Sequence, residues 1–146
     1  MGKGGEVNEG KLWGDRFAFD PDWKPDWDES RENFSELVGK TVTGISLDAD
    51  RERLLFRCAG CMTLVMWHEQ DCCESVTLDD IAGDMDDLIG AEIKQAEESM
   101  SAEEHDDGSA TWTFYKIRTI KGDVTLRWYG QSNGYYSESV STVWTS

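Results

Sequence analysis

The residues best suited to chemistry lie in two short tracts, HEQDCCESV at 68–76 and LRWYGQSNGYYSESV at 126–140. The second gathers Arg127, Trp128, Tyr129, Ser132, Asn133, Gly134, Tyr135 and Tyr136 within ten residues. A cation, stacking rings and small hydrogen-bonding groups in one stretch suit a binding surface. A guanidinium fork meets phosphate bidentately, and a phenol face stacks on a base. The bland alternative is that Trp128, Tyr129, Tyr135 and Tyr136 are strand aromatics that pack a core.

The first tract brings thiols and an imidazole. Cys58, Cys61, His68 and Cys72 invite a zinc reading, since C-x2-C followed by His and Cys resembles a compact knuckle. Geometry argues against it. If a hairpin turns between Cys58 and Cys61, strand rise carries His68 and Cys72 about 20 Å away, too far for one tetrahedral ion. Cys72 beside His68 also has the makings of a thiolate–imidazolium pair, although a small buried cysteine after a strand is commoner. His68 and His105 are the two histidines, and the sequence holds no Ser-His-Asp spacing, phosphate-cradling glycine loop or H-E-x-x-H pattern. Neither catalysis nor a cofactor is expected.

Charge narrows the choices further. The formal net charge of -16 removes the basic footprint that direct nucleic-acid binding needs. It leaves room for a surface that imitates phosphates, built from Asp79, Asp80, Asp84, Asp86, Asp87, Glu103, Glu104, Asp106 and Asp107. Residues 111–146 reverse the sign locally, with two acids against the four bases Lys116, Arg118, Lys121 and Arg127. A small anion would find its cations there. No apolar run approaches the roughly 18 residues of a membrane span, and MGKGGEVNEG lacks the apolar stretch of a signal peptide. A cytoplasmic protein with reduced cysteines is expected.

The elements that must position these groups follow from periodicity. Residues 1–33 read as an irregular, acidic, Trp-rich arm with the repeat PDWKPDW, and residues 34–146 as a single domain. The five rings Trp13, Phe17, Phe19, Trp23 and Trp27 imply that the arm packs on the domain or on a partner. VTGISL, RLLFRC, CMTLVMWH and AEIKQAEES read as strands, the second and third joined at Ala59-Gly60. Asp79 or Asp80 caps an expected short helix with Ile81, Met85, Leu88 and Ile89 on its apolar face and Gly90 at its end. SAEEHDDGS reads as a mobile acidic loop, and residues 111–120, 123–129 and 135–144 as three further strands. The expected class is α+β: a curved, mostly antiparallel sheet with one short helix.

The blocks D-C-C-x-S-V and W-Y-G-x-S-N-G-Y-Y-S, spanned by residues from about 37 to 141, resemble a domain of unknown function common in phage genomes. More distantly, the same blocks are similar to phage proteins that defeat Thoeris immunity by sequestering cyclic nucleotide signals as oligomeric, non-catalytic sponges. That resemblance implies a pocket near the two blocks, formed by Arg118, Arg127, Tyr129, Ser132, Asn133, Tyr135 and Tyr136. It further implies a counter-defence role in the host bacterial cytoplasm, a homo-oligomer, and a small anionic nucleotide as ligand. An acidic inhibitor of a host defence protein, or a structural phage domain with no small ligand, are the alternatives. Cys58-Ala-Gly-Cys61 stands where the resembled family has an acidic or glycine-containing turn, which weakens the zinc reading further.

Overall fold

The computed structural model describes residues 10–17, 19, 23, 34–68, 73–134 and 138–145, which form two antiparallel sheets. In the first, β1 (Lys11–Gly14), β2 (Val42–Leu47), β3 (Arg53–Cys58), β4 (Met62–Trp67) and β9 (Ser141–Thr145) lie side by side in that order. In the second the order is β5 (Ser75–Ala82), β8 (Gly122–Ser132), β7 (Gly108–Thr119) and β6 (Gln95–His105). No helix among the described residues is long and apolar enough to cross a membrane.

Strand alternation explains the layering. Ile45, Leu54, Phe56, Leu64 and Met66 from the first sheet join Val76, Leu78, Tyr115, Leu126 and Trp128 from the second in one buried cluster. Each fully buried side chain of this size contributes roughly 1.5–3 kcal/mol, so the contact between the inner faces dominates stability. Phe34 and Leu37, on a 3-10 turn at Phe34–Leu37, close one margin of the cluster.

The α+β expectation is thereby corrected: the chain is a β-sandwich of two sheets, and the expected helix across residues 79–90 does not form. Its first residues belong to β5, which pairs with β8 along its length. A bulge between Leu78 and Asp80 shifts the phase of β5. Val76, Leu78 and Ile81 therefore all reach the core, at spacings of two and then three that imitate helical period. Gly83, at φ 106, turns the chain out of the strand, and one 3-10 turn, Met85–Leu88, follows with Asp84 accepting from the Asp86 N–H as its cap. The expected acidic loop is corrected too. β6 runs on to His105, paired residue for residue with β7, and only Asp106 and Asp107 form the turn. From Glu97 onward every β6 residue is exposed, Met100 to 59%.

The first sheet is apolar on both faces. Leu55, Val65, Trp67 and Val143 point away from the sandwich and form a second buried cluster, covered by Phe17, Phe19 and Trp23. Trp23 meets Trp67 edge-on at 5.5 Å, Phe19 lies 5.6 Å from Trp23, and the Arg57 guanidinium sits over Phe17 at 6.0 Å. The chain reaches that face by adding β1 to the edge of β2, with Trp13 packed on the main core, and then crossing over at Gly14 and Asp15. The Asp15 N–H donates to the Thr43 carbonyl at 2.8 Å. The crossing requires Gly44, where a Cβ would stand 2.2 Å from the Asp15 carbonyl oxygen.

At the opposite end of β2 the turn to β3 is locked onto the second sheet. Asp48 accepts from the N–H groups of Glu52 and Arg53, and Arg51 adopts φ 60. There the Arg51 carbonyl accepts from the Leu78 N–H and its Nε donates to the Leu78 carbonyl, both at 2.7 Å. Gly44→Val is expected to eject the arm at a cost of about 2 kcal/mol. Chemical denaturation should show the loss of stability, and limited proteolysis should show faster cleavage within residues 10–23 than in the parent.

Candidate functional site

The two sequence blocks are brought together, because β5 and β8 are neighbours. Ser75 pairs with Gln131, Val76 with Gly130 and Thr77 with Tyr129. Their meeting point is organised by two buried carboxylates. Glu74, 2% exposed, accepts His68 Nε2 at 2.8 Å, and His68 Nδ1 lies 2.7 Å from the Ser139 carbonyl. A carbonyl oxygen only accepts, so Nδ1 carries a hydrogen, and one further proton must lie between Nε2 and the Glu74 carboxylate. With both nitrogens occupied, the imidazole braces three segments: the end of β4, the start of β5 and the approach to β9.

The second carboxylate, Glu138, is 9% exposed and accepts from three hydroxyls, Ser109 and Ser132 on one oxygen and Thr111 at 2.8 Å on the other. Burial alone would push its pKa up. The hydroxyls of Ser109, Ser132 and Thr111 outweigh that and hold it below the ordinary carboxylate value of 4.5.

Beside this corner lies a cleft of about 820 Å³, opened between the arm, the β2–β3 turn and the ends of β4 and β5. Its polar wall carries Lys11, Arg16 and Arg53 against Asp48, Glu52 and Glu74, and its apolar wall carries Phe17, Phe19 and Trp67. Burial, and then the neighbouring Asp48 and Asp50, push the Glu52 carboxyl up. His68 and Glu74 line the cleft as well. A smaller hollow of about 280 Å³, on the other side of Ser75, is lined by Cys73, Ser109, Tyr129, Gln131 and Ser132.

The expected ligand residues separate in this frame. Tyr129 and Ser132 share the small hollow, but Ser132 spends its hydroxyl on Glu138 and on the Gly134 N–H. Tyr129 faces Trp112 at 5.1 Å on the outer face of the second sheet. Arg127 pairs with Asp79 through Nε at 2.8 Å, and Arg118 with Asp123 through Nε at 2.8 Å. Asp123 and Arg127 stand four residues apart on β8, about 13 Å at strand rise, so the two guanidiniums do not converge on one phosphate. Asn133 is exposed at the end of β8. Tyr135 and Tyr136 lie outside the described residues, as do Cys72 and Trp27.

The cysteines behave as the hairpin geometry implies. Cys58 is buried in the main core, and burial pushes its thiol up to about 11, whereas Cys61 is exposed in the β3–β4 turn and His68 sits at the far end of β4. No metal-holding group of His, Cys, Asp and Glu occurs among the described residues. Cys58 and Cys61 are free thiols, as expected, but Cys73 is disulfide-bonded, which corrects the expectation for that residue.

Sequence reasoning passed over Lys11, Arg16, Arg53, Trp67, Glu74 and Glu138. The available signal was the placement of Glu74 and Glu138 inside the two informative tracts, each flanked by serine.

Glu138→Gln should destabilise the protein by about 2 kcal/mol at pH 7, since the three hydroxyls lose a charged acceptor. Because the folded pKa is depressed, that contribution is present above the unfolded value and lost as pH falls through the folded one. Thermal melts should therefore show the parent and variant converging below pH 4.5. His68→Ala, which takes the imidazole partner away from the buried Glu74, should cost about 3 kcal/mol by the same melts at neutral pH.

No curated protein and no solved structure is matched by the chain. A family model does match, across residues 35–142, which takes in β2 to β8 and both buried carboxylates while leaving β1 and the aromatic arm outside. The chain belongs to the family described as the domain of unknown function DUF7448.

Proposed function

We propose that this protein binds and retains a small anionic nucleotide in the 820 Å³ cleft without breaking a bond in it. The observation that carries the reading is one cleft that joins the cations Lys11, Arg16 and Arg53 to the rings of Phe17, Phe19 and Trp67. Its volume falls in the range of sites that enclose most of a drug-sized ligand, and the mixture of ring faces and cations suits a base at one end and phosphate at the other. Holding such a ligand at low nanomolar affinity requires roughly 12 kcal/mol, which a few charge-assisted hydrogen bonds and one buried base can supply. His68, with both nitrogens bonded internally, serves as a brace, which supports retention over turnover.

The setting we propose is phage counter-defence in the host cytoplasm, with an oligomer withholding a nucleotide immune signal. The resemblance of the D-C-C-x-S-V and W-Y-G-x-S-N-G-Y-Y-S blocks supports it: the first block lines the cleft through Glu74, Ser75 and Val76, and the second pairs with it from β8 and lines the smaller hollow beside it. A second reading is favoured by the β6–β7 hairpin, which exposes Glu97, Glu98, Glu103, Glu104, Asp106 and Asp107 as a phosphate-like row to a host nucleic-acid enzyme.

Native mass spectrometry of the full chain, incubated with a panel of cyclic and linear nucleotides, should show a retained mass equal to the intact nucleotide. A hydrolysed product would replace retention by catalysis. No retained mass, together with a host protein captured at low salt and released by high salt, would transfer the argument to the acidic hairpin.

A further inference from the structure

We infer that the arm, which lies outside the family match, is the anion-recognition element of the cleft, with Lys11 and Arg16 taking a phosphate group. This rests on the nucleotide reading above and specifies which residues make it work.

The charges of the two walls differ in sign. The wall built from matched family residues brings the carboxylates Asp48, Glu52 and Glu74 against the single guanidinium of Arg53. Asp50 adds a further negative charge near Glu52 at the rim. Among the described residues, the wall built from the arm brings Lys11 and Arg16 and no acid. An anion approaching the family wall alone meets net repulsion, so the arm decides whether a phosphate can be held at all. Within a chain of net charge -16, two cations without a carboxylate partner among the described residues are well placed for that task. Arg118 and Arg127, by contrast, are already neutralised by Asp123 and Asp79.

The anchoring of the arm supports a recognition role. β1 is fixed to β2 by a four-residue ladder, and Phe17 and Phe19 are fixed on the outer apolar cluster. Lys11 and Arg16 flank the crossing between these two anchors and are themselves exposed. Their positions are set by neighbours, while their charged ends are left to a ligand. The same anchors place the Phe19 ring in the cleft, so one segment offers both phosphate and base contacts.

The test uses isothermal titration of the full chain with ADP and, separately, with inorganic pyrophosphate. The parent should bind both, with affinities that fall as salt is raised. The double variant Lys11→Ala with Arg16→Ala should weaken both probes by roughly tenfold or more at an unchanged melting temperature, since both residues are surface positions. Phe19→Ala should weaken ADP and spare pyrophosphate. The charge-keeping pair Lys11→Arg with Arg16→Lys should retain both probes. Undiminished binding by the alanine pair would overturn the arm's role while leaving the nucleotide reading intact. Equal loss in the charge-keeping pair would make the positions structural and also end the proposal. A parent that binds neither probe would remove the nucleotide reading itself.

Discussion

A sheet that is apolar on both faces cannot serve as the outer layer of a two-layer sandwich, and much of this molecule follows from that constraint. Leu55, Val65, Trp67 and Val143 face outward from β3, β4 and β9, and leaving them in water would forfeit several kcal/mol at roughly 25 cal/mol per Å². The arm resolves the conflict by a local third layer of Phe17, Phe19 and Trp23. Because it must first extend the sheet at β2 and then cross to the other face, it leaves a cleft between its path and the β2–β3 turn. The cleft is thus a by-product of covering an apolar face. Its chemistry is set by which side chains the crossing happens to carry.

The corner beneath the cleft has a different logic. Two carboxylates are taken out of water at Glu74 and Glu138, and each is bonded to another segment: Glu74 to His68 at the end of β4, Glu138 to hydroxyls up to 29 residues away. Such groups fix where the segments 73–76 and 138–140 lie, because any displacement strands a charge in a low-dielectric site. The geometry holds the ends of β4, β5 and β8 together at one edge of the sandwich. Rigidity there is what a preformed binding site needs.

Much of this was written plainly in the sequence. The alternation of Leu54, Phe56 and Cys58 gave β3, and the continuous run Leu64 to Trp67 already had the character of a strand buried on both faces. The short links at Ala59-Gly60 and Lys121-Gly122 made the neighbours antiparallel, as found. The helix across 79–90 was misread because a bulge changes the phase of β5, and a phase change cannot be told from helical period over four apolar residues. The β6 strand was cut short because Glu and Ser dominate it; pairing with β7 supplies what propensity lacks. For the site, the adjacency of the two blocks was legible, but the ion pair of Arg127 with Asp79 spans 48 positions and no spacing rule reveals it. Two of the cations that line the cleft, Lys11 and Arg16, sit in the arm, whose position depends on the apolar outer face and not on any motif of its own.

The eleven-residue strand β6 has its own bearing on how the protein lives at high concentration. It is the outermost strand of its sheet, with one row of main-chain groups facing outward, the arrangement that seeds fibrils in other proteins. A second copy laid antiparallel on it about Met100 would set Glu97 against Glu103 at both ends of the contact. Like charges at that spacing repel, so self-templating is discouraged along the very edge most available for it. The acidity that colours the whole chain is, on this strand, a guard against coagulation.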